Sequence, residues 1–526
     1  MLGAFVALIV AAVVVVVVIV TAGGTEPPAT GAARVVPGDA LAYAHFSTDD
    51  SRPAVRSALK VAGRFPTFPL LSGVVTSRLA AITGGSAASG SSSSLNYQTD
   101  IRPWLGKEAA IAFLNSTTTT AGSEIVLDVR SPTKAHSFLA RQGATPAGSY
   151  HRVALYRLRT GIELAFVSHY LVFGQPPTVD AAIDAAAGRR ASLATSSTYQ
   201  RAADGEPDDR VVDIYFSAAG ITRLLAPQGG VIGALGALLF QPSELATTVS
   251  ISASGGGASL HVHTALGKHA AGGGRAFTPT LASELPAGSL LMLDVTGLNR
   301  VAPRVLGAGA DAGVAGRLGP LLQRLGTALA AEGVNVKAIE ALFAGETAVA
   351  LSPQTNGTPT LVVLARTKDE RKVRAQLANL EVPLARLFPA PSRGSGQVPQ
   401  FSTHQVQGGA VHQLGLAPGL TLDYAVFRGL IAVSTSLAGV AAVIHHPKSL
   451  QDEPAYARTL PGQPQSVTTL VFADFGKLLR LAERTGLVRG ATYQALRPDL
   501  NKIRAAGLQT TRGQHDSTAQ ITLQIP

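Results

Sequence analysis

The chain contains no cysteine. That single absence removes disulfides, thiolate metal ligands, cysteine nucleophiles and a lipidated N-terminal cysteine. Charge is also scarce: Asp, Glu, Lys and Arg make up 15% of the 526 residues, against about 25% in ordinary soluble domains. Aromatics are 5%, with one tryptophan, Trp104. A disordered chain would be more charged and less apolar, whereas hydrophobic residues here reach 46% and mean hydropathy is +0.24. The 55 glycines follow no collagen period. A polytopic membrane protein would need repeated long apolar runs, and the sequence has one.

That run, Leu2 to Ala22, carries no charge. About 20 apolar residues at ~1.5 Å each span the roughly 30 Å hydrocarbon core, whereas a cleaved signal peptide has an apolar stretch of only about 7–15 residues. Residues 1–22 therefore read as a transmembrane signal-anchor. Val20-Thr21-Ala22 keeps cleavage as the alternative. No Lys or Arg precedes the run, so the positive-inside rule gives little help. The expectation is a single-pass cell-membrane protein with the bulk of the chain outside the cytoplasm.

The charge that is present is lopsided. Lys plus Arg is 44 and Asp plus Glu 33, a net charge of +11. Such a field favours polyanionic partners, here anionic lipid, wall polymer or other envelope proteins. Nucleic acid is not expected, because the basic residues are scattered rather than gathered in a patch with interleaved aromatics. The densest groups, His151-Arg152 with Arg157 and Arg159, and Lys368 with Arg371, Lys372 and Arg374, read as solvated faces.

Residues 23–34, with Pro27 and Pro28, read as a stalk, and 267–280, with Gly272-Gly273-Gly274, as a linker. The flanking regions, 35–266 and 281–526, resemble each other in ordered blocks. Val36-Pro37-Gly38-Asp39-Ala40-Leu41-Ala42-Tyr43 matches Leu285-Pro286-Ala287-Gly288-Ser289-Leu290-Leu291-Met292. Gly106-Lys107-Glu108-Ala109-Ala110 matches Ala344-Gly345-Glu346-Thr347-Ala348. Further matches pair Ile125-Val126-Leu127 with Leu361-Val362-Val363, and Ile214-Tyr215-Phe216-Ser217 with Leu470-Val471-Phe472-Ala473. Each unit mixes alternating strands with short helices, so the expected fold is α+β: two tandem homologous units of antiparallel sheet with covering helices.

Candidate chemistry is thin. Gly106-Lys107 lacks the rest of a phosphate loop, and the Gly307–Gly313 run has the wrong spacing. Ser131-Pro132-Thr133-Lys134 fits a Ser-x-x-Lys pattern, but Ser131 sits where a helix N-cap belongs and the companion motifs are missing. His261 and His263 share one face of a strand without an assignable third ligand. His445-His446 follows a helix. Glu108 and Glu346 occupy the same place in both units, which fits a turn or cap role better than acid–base catalysis. No catalytic residue, cofactor or metal is assigned. Gly229 to Phe240 is about half a membrane span, and Val231, Ile232, Leu235, Leu238, Leu239 and Phe240 are the candidate contacts for lipid or a partner.

The Val-Pro-Gly-Asp-Ala-Leu-Ala-Tyr opening, with Arg64-Phe65-Pro66 and the Gly-Lys-Glu-Ala-Ala-Ile-Ala-Phe block, resembles a bacterial family of unknown function, DUF 3352. The resemblance covers most of the chain after the anchor and implies an anchored envelope protein. It brings no activity and no catalytic residue. The functional expectation is a non-enzymatic envelope protein with a binding or structural role. The alternatives are an extracytoplasmic carrier of lipid or another apolar ligand, and an envelope hydrolase with an unrecognised site.

Overall fold

The computed structural model describes residues 26–66, 97–114, 122–221, 244–254, 256–267, 275–297, 335–353, 359–387 and 400–526, the last with gaps at 408, 418, 463–464, 487 and 489, together with residues 223, 327 and 331–332. The fold is mixed α and β around one large antiparallel sheet. Its strands are β1 (Ala40–Ser47), β2 (Leu105–Leu114), β3 (Gly122–Val129), β4 (Thr145–Tyr150), β5 (Val153–Arg157), β6 (Glu163–Val167), β7 (Tyr170–Gly174), β8 (Val212–Ser217), β9 (Glu244–Ser254) and β10 (Gly257–Leu266). They continue with β11 (Leu291–Thr296), β12 (Glu346–Ser352), β13 (Thr360–Arg366), β14 (Ser402–Val406), β15 (Gly409–Ala417), β16 (Leu420–Phe427), β17 (Leu430–Ser434), β18 (Thr469–Ala473), β19 (Ala505–Arg512) and β20 (Asp516–Gln524).

The pairings give one path across the sheet. The first ten strands run β4-β5-β6-β7-β3-β2-β1-β8-β9-β10. The last ten run β14-β15-β16-β17-β13-β12-β11-β18-β19-β20. The two orders are the same, and β10 joins β20 antiparallel between them. Registers recur as well. Ser250 faces His261, and 259 residues later Gln509 faces Gln520. At the junction His261 faces Gln520, so corresponding residues meet each other. Gly257 is needed there, since a Cβ would collide with the Leu523 carbonyl oxygen.

Local chemistry places the helices. Prolines open Pro132–Arg141, Pro176–Ala186 and Pro454–Thr459, where the missing N–H costs nothing. Ser436 caps Leu437–Ile444 by accepting from the Gly439 N–H, and Asp474 caps Phe475–Thr485 by accepting from that of Lys477. Alternation along the strands feeds separate apolar cores. One is built around Tyr43, Val126, Val172 and Ile183, another around Met292, Leu364, Val443 and Phe472.

Two expected segments meet the described residues differently. Leu2–Ala22 lies outside them, and among the described residues no helix is long and apolar enough to cross a membrane. The segment expected as a stalk packs onto the body from Glu26 onward. Pro28 is buried, Gly31–Arg34 form a 3-10 turn, and Ala32 and Ala33 enter the core, because small apolar side chains fit against β2 and β3.

Candidate functional site

Strand β1 reads Ala-Leu-Ala-Tyr-Ala-His-Phe-Ser, and period-two alternation puts Tyr43 and His45 on one face and Ala42, Ala44 and Phe46 on the other. Both are about 1% exposed. A histidine so deep must find partners. Asp213 on β8 lies directly opposite, and its carboxylate is 3.0 Å from His45 Nδ1. Glu108 on β2 comes within 3.3 Å of Nε2. The second oxygen of Glu108 accepts from the Tyr170 hydroxyl at 2.6 Å, and the Ala32 N–H donates at 3.2 Å to the oxygen that faces His45. Arg210 closes the far side, 2.7 Å from Asp213 and 3.1 Å from Glu206. Tyr199 stands edge-on to Tyr43 and to Tyr215.

The charge states follow from this packing. Burial alone would lower the His45 pKa, but the Asp213 hydrogen bond and the Glu108 carboxylate raise it to about 9. Burial works to raise Glu108, yet His45 and Tyr170 hold it below its ordinary value. Glu206 is pushed up to about 8, chiefly by burial and then by Asp213. The cluster is thus an imidazolium between two carboxylates, with a guanidinium behind.

The second half answers with different chemistry at the same places. Asp294 faces Leu470 where His45 faces Asp213. Asp294 is fully buried, and among the described residues neither carboxyl oxygen has a hydrogen-bond partner. Burial, then the nearby Glu346 charge, pushes its pKa to about 8. Glu346 accepts from the Thr280 and Leu281 N–H groups and from the Thr280 hydroxyl. Glu108 and Glu346 therefore both hold the 3-10 turn that precedes the first strand of their half.

A family model described as "Protein of unknown function (DUF3352)" matches residues 1–525. The chain belongs to the DUF3352 family. No curated protein matches it. Among solved structures, crystal form IV of TP0453 is 12% identical, covering 46% of this chain and 81% of that one at a TM-score of 0.25. Crystal form III is 11% identical over 44% and 79%, at the same score. Likenesses at that score carry no argument.

The other sequence candidates of this DUF3352 protein are dispersed. Ser131 sits at the N-cap of Pro132–Arg141 without a capping bond, and Lys134 is exposed. His263 bonds the Ala202 carbonyl at 2.8 Å. His261, on the same face, has its pKa lowered by burial and by His263. Among the described residues no group of three or more His, Asp or Glu is arranged to hold a metal. Val231, Ile232, Leu235, Leu238, Leu239 and Phe240 lie outside the described residues, as does the Gly307–Gly313 run. Sequence reasoning missed His45, Asp213 and Arg210. The one usable signal was the polar His45 inside an otherwise buried strand pattern.

Proposed function

We propose that this DUF3352 chain is a single-pass, membrane-anchored extracytoplasmic envelope protein with a binding or structural role, built of two tandem homologous α+β units, 35–266 and 281–526. The observation that carries the reading is the recurrence of one ten-strand order and register in both halves, joined edge to edge through β10 and β20. Two linked copies of one unit make an extended scaffold. The most perturbed charged cluster supports a structural role: His45 and Glu108 are buried and serve strand pairing and turn capping. The +11 net charge makes anionic lipid or wall polymer the fitting partner chemistry.

Crosslinking in intact cells, followed by identification of what is captured, tests the binding role. Reproducible capture of an envelope component supports it. A tightly retained apolar lipid in the purified protein would instead favour carriage, and turnover of a wall or lipid ester would favour the hydrolase. Labelling of the C-terminal tail by an impermeant reagent tests orientation: labelling only after lysis overturns the extracytoplasmic placement.

A further inference from the structure

The apolar run ends at Ala22, and the folded body takes hold of the chain at Glu26, four residues later. The clamp is Arg52, whose side chain is buried. Its Nη2 donates to the Glu26 carbonyl at 2.7 Å and its Nε to the same oxygen at 3.2 Å. The same guanidinium donates to the Asp208 carbonyl at 3.0 Å, the Arg210 carbonyl at 3.1 Å and Ser47 Oγ at 2.9 Å. Glu26 is thereby tied to the loops that follow β1 and precede β8. Ala32 and Ala33 in the core fix the chain beyond it.

Four residue steps reach at most about 14 Å when fully extended. The polar layer on each side of the hydrocarbon core is itself about 5–8 Å thick. A body tied at Glu26 has almost no freedom to stand away from a bilayer that holds Leu2–Ala22. We propose that the end of the body formed by the loops 47–52 and 207–210 rests on the lipid headgroups as a fixed membrane-facing surface. This rests on the anchor reading above.

The charges on this surface suit a neutral headgroup layer. Arg102 pairs with Asp50 at 2.6 Å and Lys107 with Asp49 at 3.5 Å, while Arg56 is engaged by the Asp50 carbonyl at 3.1 Å. Two of these three cations face acids, so contact is enforced chiefly by the short tether and not by attraction to anionic lipid. The opposite end of β1 is turned away. There the Gly38 N–H bonds the Ala191 carbonyl and Arg190 pairs with Asp39. At about 3.3 Å per residue, the seven steps along the eight residues of β1 set the two ends roughly 23 Å apart.

The absence of native cysteine makes single-site labels unambiguous. Full-length chain carrying Asp208→Cys or Ala191→Cys is labelled with an environment-sensitive fluorophore. It is reconstituted into phosphatidylcholine vesicles bearing a headgroup nitroxide. The expected result is loss of fluorescence at 208 and none at 191, unchanged in high salt. A Gly/Ser insert of about 20 residues after Thr25, with a reach of roughly 25 Å, abolishes the loss at 208. Equal quenching at both sites, quenching that vanishes in high salt, or indifference to the insert overturns the proposed surface. Flotation of the vesicles separates the two readings. Chain that fails to float refutes the anchor, and the surface with it. Chain that floats but shows no quenching at 208 refutes the surface alone.

Discussion

His45 and Asp294 occupy corresponding places on β1 and β11 and resolve burial in opposite ways. His45 is charged and compensated. Replacing it by alanine leaves Glu108 and Asp213 facing each other with no cation between them, and removing one member of a buried ion pair costs about 3–5 kcal/mol. The expected outcome is a large fall in the denaturant midpoint of His45→Ala; a midpoint within error of the parent would show that the cluster contributes nothing to stability. The sign with pH follows from its raised pKa. The His45 contribution is complete below about 6.5 and is lost as pH rises through about 9. Asp294 loses stability in the same direction of pH for a different reason: it is uncompensated, so burial favours its neutral form. Its folded-state pKa of about 8 lies above the unfolded value near 4, so the folded state holds a proton that the unfolded chain has released. Stability therefore falls as pH rises across that window. Asp294→Asn removes this linkage, with an expected gain of roughly 5 kcal/mol at pH 8 that shrinks toward zero near pH 4. Denaturation of both proteins at several pH values checks it: parallel curves would refute the assignment. Asp294 carried no signal in the sequence, and His45 only that of a polar residue inside a buried strand pattern. Glu108 and Glu346 were legible, because they recur at the same place in matched sequence blocks, and each accepts from a backbone N–H as a turn or cap role expects.

At the level of elements, the strands that alternate strongly were the readable ones. The hairpin of β9 and β10, the strand β8 and the start of Pro132–Arg141 lie where alternation, glycine and proline put them. Strand β4 was not anticipated. Its sequence Thr-Pro-Ala-Gly-Ser-Tyr looks like a loop, and it survives as an edge strand because Pro146 needs no ladder donor there and a register shift between Pro146 and Gly148 absorbs the irregularity. The turn joining β4 to β5 is unusual in the other direction. Both central residues, His151 and Arg152, have positive φ, at 48° and 69°, where glycine or asparagine is ordinarily found. The left-handed region costs a non-glycine residue roughly 1–2 kcal/mol, partly offset because glycine also loosens the unfolded chain by about 0.4–1 kcal/mol. Arg152→Gly is thus expected to stabilise the protein slightly, by about 0.5 kcal/mol. A clear loss of stability in equilibrium unfolding would mean that the Arg152 side chain holds the hairpin by contacts that outweigh the strain.

Across the whole molecule, one row of facing residues runs Ala110, His45, Asp213, Ser250, His261, Gln520, Gln509, Leu470, Asp294, Ala348. Facing residues share one side of the sheet, so a polar band crosses the junction and fades into Leu470 on the far side. The matching of sequence blocks paired β1 with β11 and β2 with β12 in the register of this row but slipped by one residue at β8. Tyr43 faces Tyr215 and Met292 faces Phe472, so Tyr215 corresponds to Phe472 and not to Val471. A one-residue slip moves every side chain to the other face, and a short apolar strand gives sequence comparison too little contrast to detect it. The junction itself was invisible in the sequence, since nothing in β10 or β20 taken alone names the other as neighbour. It can be tested directly. Facing Cα atoms of an antiparallel pair lie about 4.5–5.5 Å apart, inside the roughly 4.4–6.8 Å range that a disulfide spans. In a chain without native cysteine, His261→Cys with Gln520→Cys should therefore close on mild oxidation into an intramolecular bridge, read as faster migration on a non-reducing gel. Closing so long a loop should also add up to about 4 kcal/mol of stability. His261→Cys with Thr518→Cys, displaced by two residues to a diagonal separation of about 7–8 Å, should close poorly. Failure of the facing pair to bridge, or equal bridging by both pairs, would show that β10 and β20 do not meet in this register, and with that the edge-to-edge union of the two halves would fall.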